Sequence, residues 1–173
     1  MAGAPQLLVL KESRDSGHPV ELWVRRAVLG GIAVLALLAL LNVFGQRPVT
    51  TGASGALARI EVEAPTTLRG GVFFMGRITI ETQGELENAT LILDPGWLES
   101  MHVNTIEPAP AEEESRDGRL ALSYGRLAAG ETAVVYLELQ VNPTNVGRRS
   151  QGVELRDGQE LVARSDRTVT ILP

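Results

Sequence analysis

The side chains able to do covalent or acid–base chemistry in this chain are few. Two histidines, His18 and His102, and no cysteine leave no thiolate nucleophile, no thiolate metal cage and no disulfide framework. Ser123, Ser150 and Ser165 carry hydroxyls, but a nucleophilic serine needs a base and an orienting group beside it, and none of them lies in a G-x-S-x-G turn. No G-x-x-x-x-G-K-[ST], G-x-G-x-x-G or H-E-x-x-H pattern occurs. Glu112-Glu113-Glu114 with Asp117 offers hard oxygen ligands of the kind Ca²⁺ takes, without the alternating spacing that wraps a chain round an ion. A solvated hairpin tip is the favoured reading of that run. The expectation is a protein that is not an enzyme and takes no cofactor and no metal.

Residues suited to contact are better represented. Trp97 follows the turn Asp94-Pro95-Gly96; exposed, it would stack on a sugar ring or a partner protein, and buried, it would plug one end of a β-sandwich. Arg148 and Arg149 follow the loop Asn142-Pro143-Thr144-Asn145-Val146-Gly147. They could meet anionic lipid head groups, teichoic-type phosphates or an acidic partner, or pair with the chain's own carboxylates. From Leu57 onward there are eighteen Asp/Glu against eleven Arg, a net charge of −7, which excludes nucleic acid as a natural partner.

Two kinds of element must position these residues. Between Arg26 and Arg47 lie twenty residues without a charge, apolar on every face, whereas a helix buried in a soluble domain would show a polar stripe. Residues 27–45 are therefore expected to cross the lipid bilayer as a single helix. Trp23, Arg25, Arg26, Phe44 and Arg47 would anchor its two interfaces, and the excess of Lys/Arg before the span favours a cytoplasmic N-terminus with the remainder outside. Arg25-Arg26 followed by apolar residues also partly fits a twin-arginine export signal, so a cleaved signal is the competing reading. Residues 1–26 read as a cytoplasmic tail, and 46–56, rich in Gly, Ser, Thr and Ala, as a flexible linker.

Residues 57–173 show period-two alternation, as in Arg59-Ile60-Glu61-Val62-Glu63, Arg77-Ile78-Thr79-Ile80-Glu81 and Ala133 to Val141. Turn signals separate the runs, Asp157-Gly158 among them. Seven or more short strands at this spacing predict an all-β domain, an immunoglobulin-like antiparallel β-sandwich preceded by the transmembrane α-helix, with an eight-stranded barrel as the structural alternative.

The run Gly125-Arg126-Leu127-Ala128-Ala129-Gly130-Glu131-Thr132 before the alternating Val135 to Val141 resembles bacterial extracellular Ig-like modules of the conserved-repeat and adhesion kind. The whole chain, through Pro19 to Arg26, Leu41 to Pro48, Leu93 to Leu98 and Val141 to Arg149, resembles uncharacterised single-pass membrane proteins of GC-rich, actinobacterial-type bacteria. Fifteen Arg against one Lys agrees with such a genome. The resemblance implies an extracytoplasmic Ig-like sandwich beside a small multi-pass membrane protein. Together these readings lead to an extracytoplasmic interaction module in the cell membrane, an accessory of another membrane protein. The alternatives are a cell-wall or carbohydrate-binding module using Trp97, and an exported soluble sandwich.

Overall fold

The computed structural model describes residues 19–41 and 46–173. The chain divides into two units, residues 1–44 and 45–173; Phe44, an expected interface anchor, lies outside the described residues.

Among the described residues of the first unit one helix, α1, runs Pro19–Leu40. Its 21-residue stretch Val20–Leu40 is long and apolar enough to cross a membrane, and none of that stretch is buried within the protein. At 1.5 Å per residue it is about 32 Å long, the thickness of a hydrocarbon core. The helix begins eight residues before the apolar block expected from the sequence, because no breaker follows Pro19, whose fixed φ suits a first helical turn. Trp23, Arg25 and Arg26 consequently sit on the helix itself, with the Arg26 guanidinium 6.0 Å from the centre of the Trp23 ring.

The second unit is a β-sandwich. Its strands are β1 (Pro48–Ser54), β2 (Ala58–Pro65), β3 (Thr67–Arg69), β4 (Phe73–Thr82), β5 (Leu86–Leu93), β6 (Met101–Glu107), β7 (Glu112–Arg116), β8 (Arg119–Leu127), β9 (Thr132–Val141), β10 (Gly147–Ser150), β11 (Val153–Asp157), β12 (Glu160–Ser165) and β13 (Thr168–Leu172). One sheet has the order β1-β2-β4-β9-β6 and faces another of order β12-β11-β5-β8-β7. A short sheet, β10-β13-β3, contributes to the same core, and in it β13 pairs with β3 in parallel. Alternation supplies the packing: Ile60 and Val62 on β2, Ile78 and Ile80 on β4, and Leu137 and Leu139 on β9 point inward. They meet Leu91, Leu122 and Leu155 from the opposite sheet.

Two sequence expectations are corrected here. Residues 46–56 are not a flexible linker throughout, since Pro48–Ser54 pairs with β2 over seven residues. The glycines there serve close approach: a Cβ on Gly52 would lie 2.9 Å from the Ile60 carbonyl oxygen, and one on Gly55 would overlap the Val162 carbonyl. The acidic run Glu112-Glu113-Glu114 is an exposed edge strand, β7, and not a hairpin tip. Its charges protect that edge from pairing with another chain.

Candidate functional site

On β4 the inward residues Phe74, Gly76, Ile78 and Ile80 fix the phase, so Phe73, Met75 and Arg77 face outward. Phe73 and Met75 are each 57% exposed, and Tyr136 on the neighbouring β9 is 41% exposed. Strand register arranges them. Glu63, Arg77, Tyr136 and Glu107 form one row across the sheet; Met75 lies opposite Glu138 in the next, and Phe73 opposite Gln140, which is opposite His102. The result is a ridge of large apolar side chains on the outer face of the β1-β2-β4-β9-β6 sheet.

Two clefts involve residues of this sheet, and Met75 and Tyr136 themselves line the first. One, of about 330 Å³, is lined by Pro48, Glu63, Pro65, Met75, Arg77 and Tyr136. The other, of about 250 Å³, is bounded by Ser100 to His102 and Gln140 to Pro143. Arg77 pairs with Glu63 at 3.4 Å, while Glu107 and Glu138 are exposed, so the rim of the ridge is acidic. The face thus carries large apolar side chains grouped inside a polar rim.

Trp97, a contact candidate from the sequence, is fully enclosed instead. It stands in a short 3-10 turn, Pro95–Trp97, and has 0% exposure. Its Nε1 donates to the Gln151 carbonyl at 2.8 Å, its ring packs against Gly76, and the Arg167 guanidinium lies 5.4 Å from its centre. A ring with no exposed face cannot stack on a sugar or a partner. Arg167 is itself buried; it donates to the carbonyls of Ala64 and Pro65 at 2.8 and 3.1 Å, and loss of solvent pushes its pKa down to about 10.

Arg148 and Arg149 are adjacent on β10 and therefore point to opposite faces. Arg149 turns inward, opposite Val169, and pairs with Glu99 at 3.7 Å. Arg148 stays exposed, opposite Thr170. The structure thus separates the two arginines that the sequence put together.

A further set of charges forms a closed network on the outer face of the second sheet. Glu154, only 6% exposed, accepts from Arg119 at 2.6 Å, from Arg156 at 3.1 Å and from Arg164. Arg164 also reaches Asp94 at 3.2 Å and Asp166 at 2.7 Å, and Ser150 donates to Asp94 at 2.7 Å. Burial alone would push the Glu154 carboxyl up; the hydrogen bonds from Arg119, Arg156 and Arg164 together with the Arg119 charge outweigh it and hold the group below its ordinary value. Three carboxylates face three guanidiniums, so the network is balanced and calls for no external ion.

Nothing resembling a catalytic set assembles among the described residues. Ser123 donates to Asn88, Ser150 to Asp94 and Ser165 to Thr51, whereas His102 is exposed on β6. No group of three or more His, Asp or Glu there could hold a metal ion. Sequence reasoning missed Phe73 and Met75. Counting the alternation backward from Ile78 and Ile80 would have put both on the outer face.

No family model and no curated protein matches this chain. Among solved structures it is similar to the chitin-binding domain of a chitinase from Pyrococcus furiosus (12% identity, TM-score 0.40, covering 64% of this chain and 99% of that one). It is also similar to CaCohA2 from Clostridium acetobutylicum (12% identity, TM-score 0.44, covering 68% and 92%). A third is a non-cellulosomal cohesin from Archaeoglobus fulgidus (14% identity, TM-score 0.39, covering 73% and 92%).

Proposed function

We propose that this chain is a membrane-anchored interaction module, held by α1 with its N-terminus in the cytoplasm and its sandwich outside, and that the sandwich meets another membrane protein through the Phe73–Met75–Tyr136 ridge. The observation that carries the reading is the ridge itself. Two large apolar side chains stand 57% exposed beside a tyrosine, on a domain whose other apolar strand residues are mostly turned inward. Covering such a side chain completely is worth about 1.5–3 kcal/mol, and aromatic anchors of this kind dominate contact energies. The exposed carboxylates of Glu107 and Glu138 at the rim fit a partner whose own contact is apolar at its centre and basic at its edge. An enzymatic role has no residues assembled for it among the described ones, and the enclosed Trp97 removes the ring on which the carbohydrate-binding alternative depended.

The test places a photoreactive phenylalanine analogue at position 73 of the membrane-embedded chain, with the same analogue at Ser115 on β7 as the control. A discrete adduct from position 73, absent from 115 and lost in a Met75→Asp background, supports the reading. Equal labelling from both positions, or an adduct that Met75→Asp leaves unchanged, would remove the ridge from consideration.

A further inference from the structure

The short sheet β10-β13-β3 has an outer face unlike the rest of the domain. Its strands read Gly147-Arg148-Arg149-Ser150, Thr168-Val169-Thr170-Ile171-Leu172 and Thr67-Leu68-Arg69, with no acidic residue among them. Leu68, Val169 and Ile171 point into the core. Register and alternation then put Arg148, Thr170 and Thr67 in one row of the outer face and Leu172 beside Arg69 in the next. Arg69 and Arg148 are exposed, Leu172 is 37% exposed, and Val146, just before β10, is 47% exposed. Neither arginine makes an ion pair among the described residues, although the domain from Leu57 onward carries eighteen carboxylates against eleven arginines. An acidic domain has thus kept one face cationic, threonine-bearing and partly apolar.

That face lies where the chain enters the sandwich. β1 starts at Pro48, soon after the apolar stretch in sequence, and Pro48 pairs with Pro65, two residues ahead of Thr67 on β3. We infer that the outer face of β10-β13-β3 rests on the anionic head groups of the membrane that α1 crosses, a proposal that depends on the anchored reading above. Arg69 and Arg148 meet lipid phosphates, Thr67 and Thr170 offer hydroxyl donors between them, and Val146 and Leu172 reach the interfacial layer. The acidic rim of the Phe73 ridge repels the same lipids, so the two faces have different occupants: lipid on the short sheet, a protein on the β1-β2-β4-β9-β6 sheet.

The chain contains no cysteine, so Leu172→Cys gives one unique labelling position. The full-length variant, labelled with an environment-sensitive dye, is reconstituted into vesicles of phosphatidylcholine alone or with phosphatidylglycerol, each with a brominated lipid as quencher. Quenching in the phosphatidylglycerol vesicles only, relieved by salt, is expected. Each arginine at an anionic surface shifts the docked ratio about fivefold, so Arg69→Ser with Arg148→Ser lowers it roughly 25-fold. Equal quenching in both vesicle types, or an unaltered double variant, overturns the proposal. Release by inorganic phosphate well beyond that by chloride at the same ionic strength would show a free-anion site instead and overturn it as well. Loss of the chain from the vesicles altogether refutes the anchored reading, whereas retention without quenching refutes only the lipid contact.

Discussion

If Trp97 is a packing element and not a contact, its ring must be unable to move, and Gly76→Ala measures that. A Cβ at position 76 would come within 2.8 Å of Trp97 Cζ3 and 3.0 Å of Cη2, whereas carbon atoms pack best at about 3.5–4.0 Å. The ring would have to retreat by roughly 0.5–1 Å. It is held by the bond from Nε1 to the Gln151 carbonyl at 2.8 Å and by Arg167 at 5.4 Å from its centre. Overpacking of this kind costs about 1–3 kcal/mol. Taking ~2 kcal/mol in a domain of ~130 residues, the Tm falls by about 7 °C. Trp97→Phe alone is expected to cost a similar ~2 kcal/mol, through lost volume and the unpaired Gln151 carbonyl. In the double variant the added methyl enters space that the indole vacated, so the two losses fall short of additive by ~1 kcal/mol or more. Thermal unfolding of the full chain in detergent, followed by the strand signal in circular dichroism, reads all four corners of the cycle. A silent Gly76→Ala, or losses additive within ~0.5 kcal/mol, would mean that the ring leaves its place freely and would return Trp97 to the list of contact residues.

Other outcomes follow from the same packing and charges. Gly55→Ala, which drives a Cβ into the Val162 carbonyl, should destabilise the domain by ~2 kcal/mol or more in thermal unfolding; a neutral result would restore the flexible linker that β1 replaced. Glu154→Gln leaves the guanidiniums of Arg119, Arg156 and Arg164 facing a neutral group and should cost about 3 kcal/mol in denaturant unfolding. Because the folded carboxyl of Glu154 sits below its ordinary value of 4.5, its stabilisation is complete above that value and is lost as pH falls through the lower, folded one. The acid limb of stability against pH should therefore be shallower in Glu154→Gln than in the parent. Tyr124, pushed up to about 12 by burial and then by the Glu113 charge, should remain a phenol at pH ~11 in alkaline difference spectra; early ionisation that Tyr124→Phe abolishes would contradict its burial.

The strands that alternate cleanly were legible in the sequence because one face of each is buried: Ile60 and Val62, Ile78 and Ile80, and Leu137 and Leu139 set their own phase. The turn at Asp157-Gly158 was equally plain, and Gly158 takes the positive φ of 57° that such a turn requires. Elements without that signature were not legible. β1 is Pro-Val-Thr-Thr-Gly-Ala-Ser with no fully buried side chain, so its identity comes from β2, whose backbone edge needs a partner. β3 and β10, of three and four residues, are too short to show a period and exist through β13 between them. The candidate contacts divided in the same way. Trp97 and the paired arginines stood out by residue type, but type carries no information on facing, and two of the three turned inward. Phe73 and Met75 were inconspicuous by composition and are set outward by the phase of Ile78 and Ile80.

The ridge is the centre of the functional account, and its coverage in membranes can be read directly. In single-cysteine variants Phe73→Cys, Met75→Cys and, as control, Ser115→Cys, the rate of labelling by a membrane-impermeant maleimide is compared between native membranes and the detergent-purified chain. A partner that loses ~2 kcal/mol of contact per uncovered anchor shields positions 73 and 75 in membranes by roughly tenfold or more, while 115 labels equally in both preparations. Equal labelling at 73 and 75 in membranes and in detergent would contradict the account.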